Sequence, residues 1–183
     1  MLEQLLIEHG APTLASLKVG NLIQTAVPDE TAFEEERILL AKKLAAKGVS
    51  ITVLQKKDGH ALIYLYRPQA LKKLLSCPLI QSFLMKEGYA CTSLGTAVGT
   101  LRVRLNQSAG FPHEIGIFLG YPLEDVTSFI DQGGQNCVLC GCWKVYHNAC
   151  QAQKTFDKFD HCRRVYTRLY RNGWSVERLT VAA

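Results

Sequence analysis

The densest group of reactive side chains is a run of cysteines near the C-terminus. Five of the seven cysteines lie between Cys137 and Cys162, and three of them stand two or three residues apart. Thiolates at this spacing can converge on a zinc ion or an iron–sulfur cluster when a tight turn joins them. The alternative that we favour is that these cysteines bind no cofactor. Thiol redox chemistry is a third alternative, because Cys150 lies in the first turn of the last predicted helix, and a helix N-terminus favours the thiolate. The candidate metal ligands are Cys137, Cys140, Cys142 and Cys150.

Basic residues recur at three- and four-residue steps along the last predicted helix, and this spacing places them on one face. Such a face can dock an acidic protein or bind an anionic ligand. Most aromatic residues of the helix fall on its apolar side, which argues against nucleic acid because base stacking needs aromatics among the basic residues. The basic stripe consists of Lys154, Lys158, His161, Arg164, Arg168 and Arg171.

A third group could perform acid–base chemistry. His113 and Glu114 lead an apolar run that predicts a buried strand through Leu119, where a carboxyl group can acquire a shifted pKa. Neighbours on a strand point to opposite faces, so these two side chains would not touch each other. The candidate catalytic residues are His113, Glu114 and Lys144, and the candidate residues for holding an anionic substrate are Tyr121 and Tyr146.

The elements that must position these residues predict an α+β fold. Asp58-Gly59 between two apolar runs indicates a hairpin, central in an antiparallel or mixed sheet that several helices cover. Pairing Lys57 with His60 would place Ile51 and Val53 on the same face as Tyr64. Residues 137–183 form a basic, cysteine-rich subregion with a strand over 143–146 and a helix that Asn148 opens and that runs to Arg171.

Length and composition predict one domain over residues 1–183. A chain of 183 residues with 48% hydrophobic and 20% charged residues has enough apolar side chains for a core and excludes wholesale disorder. The net charge of +5 is local: residues 141–183 carry eight basic and three acidic side chains, and the rest carries 13 of each.

The sequence shows neither a signal peptide nor a membrane-spanning run, which predicts a soluble, cytoplasmic protein without a membrane partner. The oligomeric state is open.

Several stretches together resemble one known family. They are His113–Val126, Trp143–Tyr146, Phe156 with Cys162 and Tyr166, and Ala11–Ala15 with Leu17 and Lys18. The set resembles a family of short proteins from clostridia and other anaerobes, catalogued as domain of unknown function 3793. The resemblance covers nearly the whole chain and implies an intracellular protein of an anaerobic bacterium, with no reaction attached. The cysteine segment varies in that family, so the resemblance does not imply a fixed metal site.

Three classes of function fit these features. We favour a binding or accessory protein that docks an acidic partner, for example a redox protein such as a flavodoxin, or an anionic ligand, through the basic helix. The second class is a small enzyme at the acid–base residues, and the third is a metal or thiol-redox protein at the cysteine cluster. The sequence carries no nucleotide-binding loop, serine-hydrolase signature or zinc-protease motif. Catalytic groups can meet in space without forming a sequence motif, so whether the protein is an enzyme stays open.

Overall fold

The computed structural model describes residues 1–90, 93–107 and 110–182, and it confirms the predicted α+β fold. The helices are α1 (Leu2–Leu14), α2 (Glu30–Ala45), α3 (Pro68–Leu75), α4 (Pro78–Lys86), α5 (Leu94–Gln107), α6 (Ile115–Phe118), α7 (Leu123–Asp131), α8 (Ala149–Arg171) and α9 (Val176–Leu179). The strands are β1 (Gly20–Ala26), β2 (Ser50–Lys57), β3 (His60–Tyr66), β4 (Leu139–Cys140) and β5 (Lys144–Val145).

The chain divides into two compact units. The first unit contains Met1–Lys72 and the segment that begins at Cys162, and the second unit contains Lys73–His161. The three-stranded sheet belongs to the first unit, whereas the short β4–β5 ladder belongs to the second. The expectation of a single domain over the whole chain stays a prediction.

The predicted hairpin is present and supplies the central strand of the sheet. The strand order is β1-β3-β2, all antiparallel, and Lys57 pairs with His60 as predicted. Asp58 and Gly59 both have positive φ angles, 51° and 70°, as a type I′ hairpin turn requires. The predicted side-chain faces are wrong, because an irregularity between Val53 and Gln55 shifts the register. Beyond that bulge, Val53 pairs with Ile63 and shares its face, on the side away from Tyr64.

Helices α1 and α2 pack against this sheet and form the core of the first unit with the short helix α9. Buried leucine, isoleucine and valine side chains from all these elements make the core. Glu36 on α2 caps the first turn of α1, because its Oε1 atom accepts the backbone N–H groups of Leu2 at 2.8 Å and Glu3 at 3.3 Å. Asp29 caps α2 in the same manner through the N–H groups of its first turn.

A buried arginine connects three segments of the first unit. Arg67 is 3% exposed, and its guanidinium donates hydrogen bonds of 2.7 Å to the carbonyls of Thr13, Leu14 and Val181. Two of these carbonyls belong to the last turn of α1, where backbone acceptors lack helical partners. Arg67 therefore satisfies the end of α1 and holds the C-terminal segment beside it.

In the second unit, the predicted strand from His113 to Leu119 is wrong. Residues Ile115–Phe118 form the short helix α6, and Ile115–Leu119 are all buried. A short apolar run inside a core has the same composition in a helix as in a strand, so its sequence does not decide between them. The strand predicted at residues 143–146 exists but is limited to Lys144–Val145, which pairs with β4.

The long final helix is confirmed. Helix α8 runs from Ala149 to Arg171, directly after Asn148, and Gly173 with a φ of 85° follows its end. Within residues 1–90, 93–107 and 110–182, no helix has both the length and the apolar character needed to cross a membrane.

Candidate functional site

The basic residues at the end of α8 line a groove on the surface of the first unit. The groove has a volume of about 410 Å³, and we call it the arginine groove. Positions four apart on a helix lie above one another, so these residues form two adjacent ladders along the helix. The lining residues are Arg163, Arg164, Thr167, Arg168, Arg171 and Asn172.

Four arginines line the groove and give it positive charge. From residue 162 to the end, the sequence contains five arginines and a single acidic residue, Glu177. Arg164, Arg168 and Arg171 are exposed, and none of them forms an ion pair within the described part of the chain. The predicted residues Arg164, Arg168 and Arg171 are therefore brought together at one surface.

The opposite side of this half of α8 fixes the direction in which the arginines face. Tyr166, Leu169 and Tyr170 pack against the core of the first unit, and Cys162 is 7% exposed. Burial raises the pKa of Tyr166 to about 12, so this phenol stays neutral at physiological pH. Because the apolar face is anchored, the arginine face is held toward solvent.

The two lysines of the predicted stripe lie on the first half of α8, in the second unit. Lys154 and Lys158 are both exposed and keep the predicted helical spacing. They do not line the arginine groove. The arginine groove thus contains only the C-terminal part of the basic stripe that the sequence predicts.

Glu114, a predicted catalytic residue, is buried in a network of hydrogen bonds. It is 3% exposed, and its Oε1 atom accepts from Arg104 Nε at 2.6 Å and from Tyr89 Oη at 3.0 Å. Arg104 also donates to the carbonyl of Glu87 at 2.7 Å. Burial, followed by the negative charge of Glu114, raises the pKa of Tyr89. Two donors therefore hold the Glu114 side chain in place.

His113 and Lys144, the other two predicted catalytic residues, both contact Phe129. The His113 ring meets the Phe129 ring edge-on at a centroid distance of 4.9 Å, and Lys144 Nζ lies 5.9 Å from the same centroid. Lys144 Nζ also donates to the carbonyl of Gly134 at 2.7 Å. The structure thus associates His113 and Lys144 with one ring, while the hydrogen-bond partners of Glu114 are a different set of residues.

The two tyrosines predicted to hold a substrate are half-buried. Tyr121 donates to the carbonyl of Cys142 at 2.9 Å and stacks on Trp143 at 5.0 Å, and burial raises its pKa to about 12. The hydroxyl oxygen of Tyr146 is buried and has no hydrogen-bond partner among the described residues. The Tyr121 hydroxyl is therefore already used to hold the loop that contains Cys142.

Sequence reasoning missed Asp125, which organises the segment after β5. This carboxylate is 2% exposed and accepts three hydrogen bonds: from Trp143 Nε1 at 2.8 Å and from the backbone N–H groups of Tyr146 at 2.8 Å and His147 at 3.0 Å. His147 Nε2 in turn lies 3.1 Å from Ser128 Oγ. The sequence signal for Asp125 is its position in the first turn of α7. Because the helix dipole by itself favours an acidic residue there, this position does not indicate the role of Asp125 in holding the later segment.

The candidate metal ligands surround the β4–β5 ladder. Cys137 and Cys142 are partly exposed, whereas Cys140 and Cys150 are exposed. Across the described ranges, no three side chains of cysteine, histidine, aspartate or glutamate gather as a metal ion requires. A metal site at these cysteines stays a prediction for which the structure offers no ligand arrangement.

The fold and the groove define an α+β protein with an arginine-rich helical surface. The chain belongs to the family described as protein of unknown function (DUF3793), whose family model matches residues 6–180. This match confirms the resemblance seen in the sequence, while an origin in clostridia or other anaerobes stays a prediction. No curated protein and no solved structure has significant similarity to the chain.

Proposed function

We propose that this protein is a binding or accessory protein that docks an acidic partner protein at the arginine groove. The observation that carries the proposal is the alignment of Arg164, Arg168 and Arg171 on one exposed helix face without ion pairs inside the described chain. Like charges held side by side repel one another, so such a face is electrostatically complementary to an acidic surface.

The cationic residues of the groove are arginines and not lysines, which supports a protein interface more than a helix face that only contacts solvent. Arginine presents a planar fork of donors that pairs with carboxylates through two parallel hydrogen bonds, and it is enriched in interfaces. A solvated helix face is equally well served by lysine. The proposed partner is an acidic protein, and a redox protein such as a flavodoxin is the first candidate to test.

The enzyme alternative has less support. A catalytic acid or base must reach the substrate, yet Glu114 is 3% exposed and already accepts hydrogen bonds from Arg104 and Tyr89. His113 and Lys144 remain accessible enough to contact a ligand, and the enzyme alternative would have to use them without this carboxylate. The metal alternative lacks a gathered ligand set in the described chain.

The test measures binding of the full chain to purified flavodoxin and to poly-L-glutamate by isothermal titration. The informative variant is the triple substitution Arg164→Gln/Arg168→Gln/Arg171→Gln. We expect this variant to lose at least about tenfold in affinity, because each exposed ion pair contributes up to about 1 kcal/mol. We also expect the wild-type affinity to fall steeply between about 50 and about 300 mM salt.

The matched control removes the same three positive charges elsewhere. Lys42, Lys43 and Lys86 are exposed and lie on α2 and α4. Their joint replacement by glutamine should leave the affinity within about twofold, since none of the three lysines lines the groove. Equal losses in the two triple variants, or an affinity that is indifferent to salt, would falsify docking at the groove.

A further inference from the structure

The arginine groove is built from one helix only, and this restricts the anions that fit it. Five of its six lining residues lie on α8, and the sixth, Asn172, directly follows the last residue of that helix. Backbone N–H groups inside a helix already donate to carbonyls four residues earlier, so the groove offers only side-chain donors. A single phosphate group is usually bound by donors that converge from a loop and a helix N-terminus. The groove instead presents a row of separate cationic groups.

The spacing of that row follows from helix geometry. Arg164, Arg168 and Arg171 stand at positions i, i+4 and i+7 of α8. With a rise of 1.5 Å per residue, they extend over about 10.5 Å along the helix axis. Carboxylates at i, i+4 and i+7 of a second helix repeat this spacing. Three same-face residues of an extended strand cover about 13 Å and drift out of register.

The shape of the groove suits the same occupant. Arg163, Thr167 and Arg171 form one row, and Arg164, Arg168 and Asn172 form the next, with a depression between the rows. Within each row, neighbouring residues stand four positions apart. In helix pairs, a ridge of side chains four residues apart on one helix packs into such a groove on the other. A ridge of aspartate or glutamate in this depression would face arginines that both rows contribute.

We propose that the occupant of the arginine groove is an acidic helix of the partner protein, with aspartate or glutamate at positions i, i+4 and i+7. This inference rests on the proposed function and adds the secondary structure and register of the partner's binding segment. Single-stranded nucleic acid is the less favoured occupant, because base stacking needs aromatic rings beside the arginines, whereas Tyr166 and Tyr170 pack against the core.

The experiment compares two helical peptides of identical composition, length and charge. The register peptide carries glutamate at i, i+4 and i+7, and the scattered peptide carries the same three glutamates at i, i+5 and i+10, which lie on different faces. Circular dichroism first establishes equal helicity. Fluorescence anisotropy with the full chain at low salt should then give about tenfold tighter binding of the register peptide, since several exposed ion pairs form together.

Two variants locate the effect. Arg164→Gln/Arg168→Gln/Arg171→Gln should abolish the difference between the peptides, whereas Lys154→Gln/Lys158→Gln should preserve it. Equal binding of both peptides that the arginine variant abolishes would overturn the helical register and leave the proposed function standing. Failure of both peptides and of poly-L-glutamate to bind would overturn the proposed function as well. Tighter binding of oligothymidylate than of either peptide would overturn the inference in favour of nucleic acid.

Discussion

Glu114 Oε1 lies 2.6 Å from Arg104 Nε, and the Glu114 side chain is only 4% exposed while that of Arg104 is 33% exposed. The pair is asymmetric: the carboxylate depends on its partners for all its solvation, whereas the guanidinium keeps access to water. A buried charge that loses its partners costs several kcal/mol, so this contact is a structural requirement of the second unit.

The first prediction follows from this asymmetry. Glu114→Ala should lower the free energy of unfolding by about 3 kcal/mol, because it leaves the buried Tyr89 hydroxyl without its acceptor and creates a cavity. Glu87 provides the matched control, since its Oε2 atom lies 3.7 Å from the same Arg104 and its side chain is 34% exposed. Glu87→Ala should cost less than about 1 kcal/mol. Chemical denaturation followed by circular dichroism measures both, and equal losses would contradict the structural role of Glu114.

The second prediction concerns two adjacent acids in the first turn of α7. Asp125 accepts hydrogen bonds from Trp143, Tyr146 and His147, whereas Glu124 is exposed. Asp125→Asn weakens charge-assisted bonds and aims an amide donor at other donors, which should cost about 2–3 kcal/mol. Glu124→Gln should stay within about 0.5 kcal/mol of the wild type.

Tryptophan fluorescence gives an independent measurement of the same change. The Trp143 indole N–H donates to Asp125, while the other tryptophan, Trp174, lies under the Arg178 guanidinium at 3.7 Å. Asp125→Asn should therefore alter the emission from Trp143 in the native state. An unchanged native spectrum together with unchanged stability would show that Asp125 does not hold this loop.

How far the sequence predicts this fold depends on whether the signal is local. Asp58-Gly59 specifies its turn by itself, because both residues must adopt a positive φ angle, and the hairpin is as predicted. Helical spacing on α8 correctly predicts which face carries Arg164, Arg168 and Arg171. In both cases, neighbours in the sequence contain all the information that the structure uses.

Where tertiary contacts decide, the sequence fails. The apolar run after Glu114 is buried on all sides, so the spacing of its apolar residues does not distinguish the observed helix from the predicted strand. The bulge between Val53 and Gln55 reverses the predicted faces of β2 through a single extra residue. The partners of Asp125 lie 18 to 22 residues away, and no spacing rule connects them.

The third prediction compares two glycines of the second unit. A Cβ atom at Gly141 would lie 2.3 Å from Phe156 Cε2. A Cβ atom at Gly99 on α5 would have no neighbour within 4 Å among the described residues outside the backbone of its own helix. Gly141→Ala should therefore lower the free energy of unfolding by about 1–3 kcal/mol through overpacking. Gly99→Ala should raise it by up to about 1 kcal/mol, because alanine favours a helix interior. Thermal unfolding distinguishes the two, and a destabilising Gly99→Ala would mean that this face of α5 is covered.

The fourth prediction concerns the reactivity of the cysteines. Cys140 and Cys150 are exposed, whereas Cys162 is 7% exposed and burial raises its thiol pKa to about 11. Since the thiolate is the reactive form, a brief pulse of iodoacetamide at neutral pH should label Cys140 and Cys150 well before Cys162. Peptide mass spectrometry reads the order of labelling. Denaturant should abolish the difference, and early labelling of Cys162 in the native protein would contradict its burial.

The raised pKa of Cys162 also predicts a pH dependence of stability. Between pH 9.0 and about 11 the unfolded thiol loses its proton while the folded thiol keeps it, so a rise in pH favours unfolding. Stability that is present below pH 9.0 should fall through this window by about 2 kcal/mol more in the wild type than in Cys162→Val. Cys150→Val, which changes an exposed thiol, should retain the wild-type slope. The comparison of slopes is independent of any constant loss from the substitution itself, and parallel wild-type and Cys162→Val curves would show that the thiol ionises as readily in the folded chain as in the unfolded one.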